Sequence, residues 1–447
     1  MANIRIQKDL TPINTAKEEF GLIERLAPLK RTMICDDFDK ALGILSQHMP
    51  LNIVRVPSGT ECWTWKIPQK WTALSATIHN QDGELVLDAD EHPLALAPYS
   101  IPFEGRLTRD ELINHLRWSD KYPDAFVYEF RLGINYAVND WAFSLPKRRM
   151  MALPEGKYDV KVHTQFCDGE MKIGECFLPG EFEETIIFVS HLCHPGQAND
   201  GASGVGGLAR TWAELSQRKK RRYSYLFLAL PETIGSVAWL WARPELAAKI
   251  VAGINYEMIG VDTKLVLKQS HKPHSIIDRI ARKVLECEGD FDIDLKSFRD
   301  GYGNDELVFA DPDFDIPMIA LQHYPFDEYH TSKDDISTVH EKRLEEIHQA
   351  TMKMVNILEQ DFIPRKNYCG PLYLSRYNLY IDPNEDRTLH RQIWNVMQRL
   401  DREQSIFEIS ESLQTPYENL RKYMYKWVEK GLIDPTPSLL LSKDKNV

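Results

Sequence analysis

The sequence predicts an α/β protein built on a mostly parallel sheet sandwiched by helices, with a β-rich accessory module before it and a helical domain after it. Three observations carry this reading. Residues 151–365 alternate short apolar runs with amphipathic stretches, the pattern of repeated strand-helix units. The run from Thr185 to Val189 is β-branched and apolar without polar alternation, as expected of a strand covered on both faces. The small-residue segment GASGVGG, which begins at Gly201, lets a helix start tight against the end of that strand.

Taken in order, residues 1–50 hold two amphipathic helices, 16–28 and 37–49, which are expected to pack on the main domain. Residues 51–150 change to short β-like pieces. ALSATIH and ELVLDA flank Asp82-Gly83, a dipeptide that favours a tight hairpin turn, and TRDE from Thr108 has capping-box spacing. This module carries no catalytic constellation and is expected to wall one side of a site. A second hairpin signal stands at Asp168-Gly169. Within 151–365, strands after the first are expected from Tyr223, Lys249 and Ile316, separated by helices such as HSIIDRIARKVLECE. Residues 366–447 form a separate unit of three helices. Thr415, Pro416 and Glu418 read as a capping box with proline at the first helical position, and the helix-turn-helix order resembles a winged helix.

Composition narrows the function. With 447 residues, 43% hydrophobic and 27% charged, the chain has the make-up of a globular protein with a large core. The N-terminal MANIRIQKDL lacks the apolar centre of a signal peptide and no run is long enough to span a bilayer, so a cytoplasmic protein without a membrane partner is expected. Seven cysteines scattered from Cys35 to Cys369 without a CxxC pair suggest neither a disulfide framework nor a structural zinc knuckle.

The chemistry lies in the residues just past the strand ends. His191, Cys193, His194 and Asp200 come after the first strand, Glu232 after the second, Glu257 after the third and His330 after the last. Each would be delivered to the carboxyl edge of the sheet, where open α/β sheets bind ligands. Imidazole nitrogen and carboxylate oxygen together suit zinc, and Asp200 could bridge two ions about 3.5 to 4 Å apart. Taken singly, these residues have plainer readings. Asp200 fits a helix cap, Glu232 a helix-start carboxylate, His330 and Asp334 a polar loop, and Cys193 a small packed side chain.

As a set the motifs resemble the zinc aminopeptidases whose fold also serves glutaminyl cyclases. They resemble more closely bacterial proteins with an aminopeptidase-like domain and a winged-helix C-terminus, often linked to polysaccharide biosynthesis. The family pattern runs His-x-Asp, Asn-Asp-x-x-Ser-Gly, Glu-Glu, Asn-x-Asp-Met-x-Gly and Tyr-His-Thr. Here it stands as His191-Leu192-Cys193, Asn199-Asp200 to Ser203-Gly204, Pro231-Glu232-Thr233, Asn255-Tyr256-Glu257-Met258-Ile259-Gly260 and Tyr329-His330-Thr331.

The resemblance implies a zinc-dependent amide hydrolase with one or two Zn2+ ions held by His191, Asp200, Glu257 and His330. Glu232 would act as general base toward the activated water. Cys193 replaces the aspartate that orients the first histidine, so His194 stays open as an alternative ligand, with Cys193 and Asp305 as supporting residues. Only Glu232 stands where the family has two glutamates, and Thr233 takes the other place. Whether Glu232 is base or ligand is therefore open. A peptide or other small amide is the expected substrate, and self-assembly is allowed. Two alternatives stand beside this: a metal-poor regulatory protein acting through its winged helix, and a non-peptide amidohydrolase or cyclase linked to polysaccharide biosynthesis.

Charge separates the regulatory alternative from the enzyme. The formal net charge is −12, and residues 371–447 balance their lysines and arginines against aspartates and glutamates, which opposes approach to a polyanion. Titration of the intact protein with duplex DNA is expected to show no submicromolar binding at moderate salt. Submicromolar, steeply salt-dependent binding that requires Arg421 and Lys422 would make the regulatory reading the leading one.

Overall fold

A computed structural model describes residues 10–130, 139–301, 303–400, 403–438 and 440–441, so the N-terminal segment tested for a signal peptide lies largely outside the described residues. Eight strands form the main sheet. In chain order they are β1 (Asn52–Pro57), β2 (Glu170–Leu178), β3 (Thr185–His191), β4 (Ser224–Leu230), β5 (Ile250–Tyr256), β6 (Leu265–Lys268), β7 (Ile293–Lys296) and β8 (Met318–His323). Their order across the sheet is β1-β2-β4-β3-β5-β8-β6-β7. The central four, β4, β3, β5 and β8, run parallel. β1 and β2 continue one side antiparallel, and β6 joins the other side antiparallel to β8.

Every residue of β3, β4 and β5 is buried, which is why these strands read as unbroken apolar runs and not as alternations. The pleat still divides them. Ile186 and Phe188 join Tyr225 and Phe227 in a core with helices Ala16–Leu26, Gly204–Gln217 and Glu341–Gln360. Ile187 and Val189 join Leu226 and Leu228 on the opposite face, against helix Ile234–Ala242 and a second sheet. That four-stranded antiparallel sheet has the order Leu85–Asp88, Lys70–Asn80, Lys157–Cys167, Phe103–Thr108. The stretch from residue 51 is therefore not wholly separate from the main domain, since β1 is its edge strand.

The Asp82-Gly83 hairpin forms, with Ile78 opposite Leu87 and Gly83 at φ +81°. The hairpin read at Asp168-Gly169 does not. Lys157–Cys167 pairs within the second sheet while β2 pairs with β1 and β4, so the chain crosses between sheets at this point. Ser58 at the end of β1 holds the crossing: its Oγ accepts the Gly169 N–H at 3.0 Å, and its own N–H donates to the Gly169 carbonyl at 2.9 Å.

Three helices, Arg387–Met397, Ile406–Ser412 and Tyr417–Glu429, form the C-terminal segment as expected. The capping box at the third helix is absent. Pro416 is the N-cap itself, and the Thr415 hydroxyl donates to the Leu413 carbonyl instead of receiving an N–H. The strand after it, Ile433–Pro437, pairs antiparallel with Phe362–Lys366. Phe407, Leu420 and Trp427 share one continuous core with Leu344 and Ile347, and Arg279 pairs with Glu411 at 2.5 Å. No helix among the described residues is long and apolar enough to cross a membrane.

Asp361 ties this segment down. Its carboxyl accepts the Phe407 N–H at 2.9 Å, and its carbonyl accepts from Arg222 Nη1 at 2.8 Å. Burial pushes the Asp361 carboxyl up to about 6, against the hydrogen bonds from Ser405, Phe407 and Ser438 that favour its charge. A carboxyl raised on folding contributes stability that is fully present below its unfolded value and lost as pH rises through about 6. Asp361→Asn is expected to remove that decline, read as a flatter denaturation free energy between pH 4 and 6. A variant with the wild-type slope would assign this carboxyl no part in it.

Candidate active site

The sheet's carboxyl edge collects the titratable side chains. His191 closes β3, and the turn after it carries Cys193 and His194. Asp200 stands in extended backbone (φ −75°, ψ 101°) ahead of helix Gly204–Gln217, so it does not cap that helix. Its backbone is held by Asp334, whose carboxylate accepts the N–H groups of Asn199 and Asp200 at 2.7 and 2.9 Å. Close packing here requires glycine. A Cβ on Gly201, at φ +85°, would lie 2.6 Å from His191 Cδ2, and one on Gly204 would lie 2.3 Å from Ser190 Oγ.

Glu232 follows β4 and Glu257 follows β5, while His330 arrives on the loop after β8. The Glu232 N–H donates to Cys193 Sγ at 3.2 Å. The Thr233 N–H donates to Asp305 Oδ1 at 2.9 Å, which supports a residue held at φ +61°. Tyr128 and Phe130, from the accessory stretch, lean on the His330 ring at centroid distances of 5.0 and 5.2 Å. That stretch thus borders the site, and Tyr128 N–H donates to the His330 carbonyl at 2.9 Å.

Asp200 is the hub. Its Oδ1 lies 3.0 Å from His191 Nε2, and its Oδ2 lies 3.1 Å from His330 Nε2 and 3.7 Å from His194 Nε2. His191 Nδ1 is 3.6 Å from Glu257 Oε2, and His194 Nε2 is 3.5 Å from Glu232 Oε2. Glu257 is further fixed by side-chain amides: Asn255 Nδ2 donates to Oε1 at 2.5 Å and Asn304 Nδ2 to Oε2 at 2.7 Å. Behind it, Lys268 Nζ meets Glu306 Oε1 at 2.6 Å, with both side chains buried.

Electrostatics separate the carboxylates. Burial pushes Glu257 up to about 8 and Asp305 and Asp334 up to about 7. Asp200 goes the other way: burial opposes its charge, but His194, His191 and His330 hold it well below the ordinary carboxylate range. Glu232 is raised by burial, yet its side chain is 19% exposed, whereas those of Asp200 and Glu257 are 3% exposed. Burial pushes the Cys193 thiol far up, which argues against a thiolate nucleophile.

The residues fit a cation. His191 Nδ1, Asp200 Oδ2, His330 Nε2 and Asp305 Oδ2 are buried polar atoms without a well-formed hydrogen bond, although Asp200 Oδ2 and His330 Nε2 lie 3.1 Å apart and His191 Nδ1 lies 3.6 Å from Glu257 Oε2. Ligand atoms of His191, His194 and Asp200, and of His191, Glu257 and Asp305, gather within 4.8 Å of each other. Imidazole nitrogen with carboxylate oxygen is the donor set of zinc enzymes, and a cation supplies the charge that clustered buried carboxylates lack.

The structure thus brings His191, His194, Asp200, Glu232, Glu257, Asp305 and His330 to one place, with Cys193 under Glu232. Sequence pattern alone missed Arg31, Tyr128, Asn304, Glu306 and Lys268. Arg31 is fully buried, donates to the Gln197 carbonyl at 2.8 Å and faces the carboxyl groups of Asp200 and Asp334. Only the run Asn304-Asp305-Glu306 carried a local signal, three polar residues opening a short helix.

A family model described as a domain of unknown function (DUF4910) matches residues 20–361. The chain belongs to this family. A protein of Clostridium acetobutylicum, provisionally named a polysaccharide biosynthesis protein with aminopeptidase-like domain, is 31% identical to the DUF4910 chain over 350 residues. The match covers 78% of this chain and 79% of that one. A crystal structure of a Clostridium acetobutylicum protein, provisionally called a peptidase, superposes with a TM-score of 0.84 at 27% identity, covering 94% of this chain and 96% of the other. BSAP, a zinc aminopeptidase from Bacillus subtilis, superposes with a TM-score of 0.57 at 13% identity, covering 77% and 95%. The DUF4910 chain therefore has a mixed α/β, aminopeptidase-like fold with a large, mostly parallel central sheet.

Gly201→Ala tests the packing of this edge. The added methyl would meet His191 and force a left-handed residue, so a loss of about 2 kcal/mol or more is expected in chemical denaturation. Wild-type stability in that variant would contradict the tight contact.

Proposed function

We propose that this protein is a zinc-dependent amide hydrolase of aminopeptidase type. The observation that carries the reading is the Asp200 carboxylate, which turns one oxygen to His191 and the other to His330 and His194. His191, Asp200, Glu257 and His330 would hold the metal. Bound zinc polarises a carbonyl and makes water acidic enough to attack near neutral pH. The aminopeptidase-like domain in the name of the Clostridium acetobutylicum relative, and the zinc aminopeptidase of like fold, support the same reading.

Glu232 is the proton carrier in this reading. It has the exposure the buried ligands lack, and burial raises its affinity for a proton toward working pH. Its Oε2 takes the proton from the attacking water and returns it to the nitrogen of the leaving amine. Two backbone anchors aim it: its own N–H on Cys193 Sγ and the neighbouring Thr233 N–H on Asp305. Cys193 thereby holds the base, and Asp305 holds the turn.

The relative's link to polysaccharide biosynthesis supports a second substrate class, an amide on a sugar, which the same residues would cleave. We assign the C-terminal helices, in a winged-helix-like arrangement, to packing on the catalytic domain, because they share its core and not because of any ligand. A cytoplasmic location goes with this proposal.

Asp200→Asn is expected to strip metal from the protein, since a neutral amide cannot neutralise the ions. Glu232→Gln is expected to keep the metal and lose about 10² to 10⁴ in rate on an aminoacyl amide. Elemental analysis of both purified variants beside an activity assay checks this pair. Loss of metal from Glu232→Gln would make Glu232 a ligand and refute its role as base.

A further inference from the structure

We propose that His194 takes the ligand position that Thr233 leaves open, so that Asp200, His194 and His330 form a second, imidazole-rich cation site. It would share Asp200 with the site of His191 and Glu257. The inference rests on the proposed metal-dependent hydrolysis and deepens it.

Thr233 cannot serve. It offers one hydroxyl where the related pattern has a carboxylate, and its backbone is tied by its N–H to Asp305 at φ +61°. His194 is 4% exposed and reaches the same region from the end of the neighbouring parallel strand. Its Nε2 lies between two carboxylate oxygens, 3.7 Å from Asp200 Oδ2 and 3.5 Å from Glu232 Oε2. The separation from Asp200 suits two groups that meet through a cation in common and exceeds a direct hydrogen bond, while Glu232 stands beside the pair as the base. Its other nitrogen, Nδ1, sits 3.6 Å from Cys193 Sγ. With the Nδ1 proton on that sulfur, Nε2 presents its lone pair to the site, which is the tautomer ligation requires.

His330 converges on the same oxygen. Its Nε2 is 3.1 Å from Asp200 Oδ2, and neither atom completes a well-aligned hydrogen bond. One aromatic ring positions both imidazoles: Tyr128 stands edge-on to His194 and to His330, each at 5.0 Å. The Cys193-His194 pair, in place of the family's aspartate, then has a single explanation. Cysteine accepts the Glu232 N–H and lies 3.6 Å from His194 Nδ1, and the histidine supplies the donor that Thr233 does not. Exchange of a carboxylate for a neutral imidazole leaves the pair of ions one charge more positive. It also shifts the second site toward the nitrogen-rich donor sets that suit zinc, cobalt and iron(II).

The test is metal content of the full-length protein, stripped and reloaded with Zn2+ or Co2+ and equilibrated by dialysis. The wild type is expected to hold two ions per chain, His194→Ala and His330→Ala one each, and Thr233→Ala two, with circular dichroism confirming the fold. Two ions retained by folded His194→Ala would overturn the assignment of His194 while leaving the hydrolase reading intact. One ion in the wild type would overturn the second site. No ion in the wild type would overturn both this inference and the proposed function. Zinc-edge absorption spectroscopy of the wild type needs no variant to fold. Three imidazoles across two ions support the proposal, and two imidazoles overturn it.

Discussion

A carboxylate taken out of water costs several kcal/mol unless an opposite charge or a dense set of donors meets it. This chain draws Asp200, Glu232, Glu257, Asp305, Glu306 and Asp334 to one edge of a buried sheet. Much of the surrounding structure answers that constraint. Lys268 meets Glu306, amides of Asn255 and Asn304 hold Glu257, and backbone N–H groups of Asn199 and Asp200 hold Asp334. Asp200 is met by three imidazoles, and that asymmetry gives the edge its chemical direction.

The parallel sheet was legible because burial on both faces leaves a plain signature, an apolar run with no polar alternation, as in β3, β4 and β5. The site residues His191, Asp200, Glu232 and Glu257 were legible for a related reason: each lies at or just beyond a strand end, so strand periodicity placed them at one edge. What stayed hidden was long-range. Arg31 sits in the N-terminal region and Tyr128 in the accessory stretch, with no pattern around either to tie it to an edge formed by residues 191–334. Lys268 is on β6, whose antiparallel entry beside β8 no local pattern announces.

The two local misreadings have different causes. Asp168-Gly169 has the composition of a tight turn, but its flanking strands find better partners in different sheets, and Ser58 holds the crossing. Thr415 and Glu418 have capping-box spacing, but Pro416 between them becomes the cap, and the threonine turns back to Leu413. In the first, tertiary pairing outweighed a local turn preference; in the second, a neighbouring proline displaced a cap worth about 1 kcal/mol.

The strap between the accessory stretch and the last loop has a bearing on how the protein is made. Val127 bridges Thr331, and the Phe126 N–H donates to Ser332 Oγ across 206 positions of sequence. At ribosomal speeds of roughly 5 to 20 residues per second, the first half of that strap waits about 10 to 40 s for the second. Late in that interval the nascent chain holds the accessory stretch, its first histidine and its hub aspartate but no closing imidazole. Completion of the centre is therefore a late event in biosynthesis, timed by the emergence of one loop.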